Sequence, residues 1–232
     1  MIKQDNLEVS FRRALEELAK KDIERQCQLA GADYEVIRAG EVLISLLLME
    51  RVYQITYPEG EVTCRDNSPD VGLMKKAILL RYLNNAKEAS GEEKLIGFNE
   101  LPSGSFYNPA FSQSVVKPFI DFFGKEPQKL KWTAKRLGGT EVPFGDAGVK
   151  IPFLPKVKIS FIIWEGDDEF PPQAKILFNS HIASYLSTEG VVIASAMVFN
   201  ELKKRALMKR ELFLRNTHHA RRNTIYERRY TN

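Results

Sequence analysis

The chain has 232 residues, 44% of them hydrophobic and 28% charged. That is enough apolar material for a substantial core without disulfide or metal staples. Cys27 and Cys64 stand far apart with no C-x-x-C pair, so neither a disulfide framework nor a cysteine-held zinc or iron–sulfur site is signalled, and both read as reduced thiols. The apolar runs from Val42 to Met49 and from Val191 to Phe199 are too short to cross a bilayer, and the first residues do not open a secretory signal. The expectation is a cytoplasmic protein with no membrane contact.

The net charge of +4 is unevenly spread. Residues 203–232 hold ten Lys/Arg against Glu211 and Glu227, a charge of +8, which leaves −4 on residues 1–202. A mildly acidic body with a basic tail differs from a uniformly basic nucleic-acid binder, and the basic character of the chain belongs to the tail alone.

In chain order, apolar residues from Leu7 to Cys27 recur at helical spacing, which predicts one amphipathic helix over 7–30 ended by Gly31. Tyr34 to Ile37, Glu41 to Leu48, Arg51 to Tyr57 and Glu61 to Cys64, punctuated by Ala39-Gly40 and Pro58-Glu59-Gly60, read as a small antiparallel meander. Asp66 to Asp70 supply caps and a breaker before a second helix from Val71 to Lys87. The stretch 97–111 is dense in aromatics and turn residues and reads as a long structured loop. Helices are expected over Ser114–Phe123 and Pro127–Leu137, stopped by Gly124 and Gly138-Gly139. Val157 to Ile163 and Ala174 to Phe178 alternate as two consecutive strands. A long helix is expected from Gly190 to Asn216.

These elements define an α+β class, with antiparallel sheet packed against helices and a long C-terminal helix. Residues 1–202 read as one globular domain, divisible into a helix-plus-meander half over 1–90 and a second half over 91–202. Residues 203–232 read as a basic helix end and arm.

The chemistry concentrates between the last two strands, in "WEGDDEFPP". Glu165, Asp167, Asp168 and Glu169 crowd the place where the sheet should end, and like charges this close raise one another's pKa unless a cation sits among them. Two readings follow. In one, the segment is a solvated turn built on Gly166-Asp167. In the other, it is a ligand site on Glu165, Asp167, Asp168 and Glu169, walled by Trp164 and Phe170, with Asp146 reaching in from its glycine loop. Oxygen-rich clusters suit a divalent metal, and Asp167 and Glu169 with His181 as a nitrogen ligand form the candidate metal set. No iron–sulfur cluster is expected. His181 beside Ser180 does not make a triad, because nucleophile, base and orienting acid must be assembled in space and no G-x-S-x-G is present. The glycines from Gly138 to Gly148 follow a helix and fail the strand–glycine–helix order of a phosphate loop. No residue pattern specifies a reaction, so enzyme and non-enzyme stay open.

The tail "RNTHHARRNTIYERRY" interleaves arginine with histidine and tyrosine. Residues 216–232 read as an arm for a neighbouring subunit or a protein partner, with RNA the less favoured alternative because no nucleic-acid module precedes it.

Four segments, "FNELPSGSFYNPAF", "LGGTEVPFGDAG", "PFLPKVKISFIIWEGDDEFPPQAKILFN" and "YLSTEG", together resemble the family catalogued as domain of unknown function 3786, over Phe11 to Leu202. The resemblance implies a cytoplasmic protein of anaerobic bacteria and archaea, in a family sometimes fused to a four-cysteine iron–sulfur segment that this sequence does not contain. It implies no catalytic residues. The function expected from residues and resemblance together is a ligand- or metal-binding protein accessory to metal or cofactor metabolism. The alternative is a non-enzymatic interaction module whose basic arm docks a partner or RNA.

Overall fold

The computed structural model describes residues 4–66 and 71–208, with side chains from residue 8 onward. The capping segment expected over 67–70, and the part of the basic tail from 209 to 232, lie outside the described residues.

The first helical stretch is two helices rather than one, α1 (Gln4–Leu18) and α2 (Ile23–Ala30). Lys20 N and Lys21 N turn back onto Glu17 O and Leu18 O, and Asp22 then caps α2 by accepting from Arg25 N at 3.1 Å. The cap explains the break, because an Asp side chain competes well for the free N–H groups of a new first turn. Gly31, at φ 65°, ends α2 in the left-handed conformation.

The meander follows as expected: β1 (Asp33–Arg38), β2 (Glu41–Leu48), β3 (Arg51–Tyr57) and β4 (Val62–Cys64), all antiparallel and in sequence order. On β2 the alternation of Val42, Ile44, Leu46 and Leu48 is buried, facing Ile55 and Tyr53 across the register, while Leu43, Ser45 and Leu47 turn away. Helix α3 (Leu73–Asn85) is buried on most of its circumference. Its carboxyl end is tied to α2 by Gln26, whose Nε2 donates to Leu83 O and, at 2.7 Å, to Ala86 O. Tyr82 links the halves of the chain: its hydroxyl donates to Ala30 O at 2.5 Å and accepts from Lys156 N at 3.1 Å.

The second sheet has five strands in the order β5-β9-β8-β7-β6, formed by β5 (Leu95–Gly97), β6 (Thr140–Glu141), β7 (Ala147–Leu154), β8 (Val157–Trp164) and β9 (Gln173–Asn179). Strand β8 lies at its centre and is buried on both faces apart from Lys158 and Trp164. Helices α5 (Lys117–Phe123), α6 (Pro127–Lys135) and α7 (188–208) belong to this half. Phe119 of α5 brings three elements together, with its ring 5.2 Å from Phe161 of β8 and 6.1 Å from Phe199 of α7. A backbone bond from Met49 N to Phe153 O, 2.8 Å, joins the end of β2 to β7, and one hydrophobic cluster runs through both sheets. The class is therefore α+β.

Two further expectations are corrected. The stretch 97–111 is not a loop: a 3₁₀ turn over Phe98–Glu100 leads into α4 (Gly104–Phe111), and a π-helical segment over Ser112–Val116 continues it into α5. Pro109 lies inside α4. Buried Phe98 and Phe111 stack with centroids 4.1 Å apart, and this packing outweighs the turn chemistry of the local sequence. The region after Gly145 is not loop either but β7, whose apolar run is broken in sequence by Gly148 and Pro152.

Candidate functional site

The connection from β8 to β9 carries the acidic segment, and its conformation follows from Asp167. The Oδ1 atom of Asp167 accepts from Glu169 N at 2.9 Å and from Phe170 N at 2.7 Å, while Asp167 N donates to Phe170 O at 2.9 Å. The turn is closed by its own side chain. Gly166 is required by close approach, since a Cβ there would stand 2.6 Å from Pro172 N and Cδ. Asp146 contacts the segment at its backbone: its Oδ2 accepts from Glu165 N at 2.7 Å while Asp146 N donates to Ile163 O at 3.0 Å. It thus continues the β7–β8 pairing for one more step.

All four carboxylates of Glu165, Asp167, Asp168 and Glu169 are exposed, and among the described residues none of them makes an ion pair. The aromatic brackets are exposed as well. Trp164 is 36% and Phe170 62% exposed, and Phe144, in the loop that also holds Asp146, is 47% exposed. The sheet end therefore presents an internally hydrogen-bonded acidic turn with three exposed aromatic rings in its flanking segments.

His181 does not join Asp167 and Glu169. It lies in a 3₁₀ turn (Ser180–Ser184) at the far end of β9, and the seven residues of that strand separate it from the acidic turn by about 20 Å. Among the described residues no group of three or more His, Cys, Asp or Glu is placed to hold a metal ion. Among the described residues the buried Nε2 atom of His181 has no hydrogen-bond partner, and neither has Asn179 Oδ1, whose own amide donates to Glu93 Oε1 at 3.2 Å.

Other segments singled out by sequence resolve into packing. Thr188 Oγ1 donates to Pro102 O at 2.5 Å, and Ser187 caps α7 by accepting from Gly190 N at 3.2 Å, so "YLSTEG" and "FNELPSG" meet at the start of α7. Arg136 lies over the Trp132 ring at 4.9 Å. Both cysteines are buried free thiols, and Cys64 Sγ donates to Val52 O at 3.7 Å. Burial lifts the Cys27 thiol from its ordinary 9.0 to about 11. Between those values the unfolded thiol has lost its proton and the folded one has kept it, so this group's contribution to stability falls as pH rises from 9 toward 11. At pH 8 a thiol reagent such as Ellman's is expected to leave Cys27 unmodified in the folded protein and to titrate it after guanidinium unfolding. Rapid native-state reaction would contradict the burial.

Two surface features had no sequence signal strong enough to mark them: the exposed Phe106–Tyr107 pair on α4, rings 5.2 Å apart, and Phe144. For Phe144 the signal was its place between Pro143 and Gly145, a turn that leaves little room for burial.

The α+β fold and the acidic sheet end set the class of protein, a small helix-covered antiparallel architecture with an exposed charged turn. Its family is equally definite: residues 22–201 match the model described as domain of unknown function (DUF3786), and the chain belongs to that family. No curated protein and no solved structure matches it. Among the described residues no helix is long and apolar enough to cross a membrane.

Proposed function

We propose that the chain is a non-catalytic binding module that offers the acidic, aromatic end of its five-stranded sheet to a basic segment of a protein partner. The observation that carries this reading is the joint exposure, at one sheet end, of Glu165, Asp168, Glu169 and Phe170 on the turn that Asp167 closes, of Trp164 at the end of β8, and of Phe144 in the neighbouring loop that holds Asp146. Carboxylates without a counter-charge draw arginine and lysine to the surface and set their register. The rings then receive guanidinium faces and alkyl stems. A turn already locked in shape loses little conformational freedom on binding. The same charges repel phosphate, so this face does not suit nucleic acid.

A fluorescent dodecapeptide of alternating arginine and tyrosine, titrated into the full chain and followed by anisotropy, tests the reading. Saturable binding is expected, weakened at least tenfold at matched ionic strength by the combined Glu165→Gln, Asp168→Asn and Glu169→Gln changes. Trp164→Ala with Phe170→Ala should weaken it as well. These exposed positions should leave the melting temperature within about 2 °C of the parent. A charge-neutralised variant that binds as the parent does would sink the proposal. Added Mg²⁺, Ca²⁺ or Mn²⁺ is expected to leave the melting temperature unchanged. A saturable rise lost in Asp167→Asn with Glu169→Gln would instead assign the turn to a cation.

A further inference from the structure

Helices α1 and α3 leave between them a groove of about 510 Å³ lined by Val9, Ser10, Arg13, Ala14, Glu17 and Arg81. Its size is that of a small-molecule site. Arg81 is held in place and partly withdrawn from solvent: its side chain is 32% exposed, its Nη2 donates to Ser10 Oγ at 2.6 Å, and its Nη1 stands 3.5 Å from Glu189 Oε2 at the start of α7. That ion pair is long for a charge-assisted bond and leaves the guanidinium only partly neutralised. The Ser10 hydroxyl accepts from Arg81, and among the described residues its own proton has no acceptor. Arg13, one turn along α1, is exposed and makes no ion pair among the described residues. Under the groove, Asn84 is 6% exposed and donates to Ala14 O at 2.7 Å, which fixes the α1 backbone at the groove wall.

We propose that this groove binds a small organic anion, with one carboxylate or phosphate group held between Arg81 and Arg13 and receiving the Ser10 O–H. Planar guanidinium groups match oxyanions in geometry as well as charge. Glu189 stands 3.5 Å from Arg81 and Glu17 lines the wall, so attraction here is local, through the donors of Arg81, Arg13 and Ser10, and the low net charge of the groove disfavours polyanions such as nucleic acid. The groove shares no residue with the acidic turn, and this inference stands independently of the peptide-binding reading.

Calorimetric titration of the full chain with inorganic phosphate, and separately with succinate, at constant ionic strength and with chloride as control, distinguishes the two ligand chemistries. Saturable binding of at least one is expected, and the tighter of the two names the group. Arg13→Met, at an exposed position, is expected to weaken that binding at least tenfold without altering the fold by circular dichroism. Arg81→Lys, which keeps charge but removes the fork, should weaken it further. Absence of saturable binding by both anions, or an Arg13→Met variant that binds as the parent does, overturns the proposal.

Discussion

Phe119→Ala is expected to lower the stability of the protein by about 3–5 kcal/mol, the range for removing a fully buried phenylalanine. The ring is 0% exposed and meets Phe123 at 5.4 Å, Phe161 at 5.2 Å and Phe199 at 6.1 Å. These neighbours come from α5 itself, the central strand β8 and the terminal helix α7, so collapse around the cavity would require two helices and a strand to move together. Relaxation should therefore be small and the loss near the top of the range. Urea unfolding followed by far-ultraviolet circular dichroism reads the result as a lower midpoint with an unchanged slope. A loss below about 1 kcal/mol would mean that α7 does not pack on α5 as described.

The legible parts of this fold are those in which one face is buried and the other is wet. Strand β2 was readable because Val42, Ile44, Leu46 and Leu48 keep period two against Leu43, Ser45 and Leu47, and the structure buries the first set. Strand β7 was not, because Gly148 and Pro152 interrupt its apolar run; the proline pairs with Lys158 immediately before a register shift, where a missing N–H is tolerated. The α1–α2 break was hidden because the apolar stripe runs on past it to Ile23 and Cys27, although Asp22 carried a cap signal. At the candidate site the charge excess was plain in sequence, but its exposure was not. Exposure depends on Asp167 closing the turn through two backbone N–H groups, a contact that any Gly-Asp turn or metal site would equally permit. The distance from Asp167 to His181 was fixed by the length of β9, and only the pairing of Trp164 with Gln173 shows that the whole strand lies between them.

The peptide contact proposed for the acidic turn and the anion contact proposed for the α1–α3 groove would rest on different physics. At the turn the Glu165, Asp168 and Glu169 side chains are exposed, so their contribution would be steering and register, and it would weaken with salt. In the groove the Arg81 guanidinium is partly desolvated and held by Ser10, so each contact to a ligand is stronger and less sensitive to ionic strength. Raising salt at constant ligand should thus separate the two activities, releasing the basic peptide before the small anion.

Gly104→Ala is expected to destabilise the protein by about 1–3 kcal/mol or more, although alanine is the better helix former by about 1 kcal/mol. The reason is the start of α4. A Cβ on Gly104 would lie 2.0 Å from Phe98 O and 3.1 Å from Asn99 C, both backbone atoms that no rotamer change can move. Gly104 N also donates to Leu101 O at 2.7 Å, and Ser103 before it sits at φ 58°, so the chain enters the helix through a tight, fully committed turn. Relief of the clash requires α4 to move off the 3₁₀ turn, which would pull Phe111 away from Phe98 and strain the Thr188–Pro102 bond that anchors α7. Packing here overrides propensity, as it did in turning a glycine- and proline-rich stretch into helix. Ser105→Ala, one residue on at an exposed position, provides the control and should stay within about 0.5 kcal/mol. Parallel urea titrations of the two variants decide the matter: a Gly104→Ala midpoint equal to that of Ser105→Ala would show that α4 begins with more room than the Phe98–Gly104 contact allows.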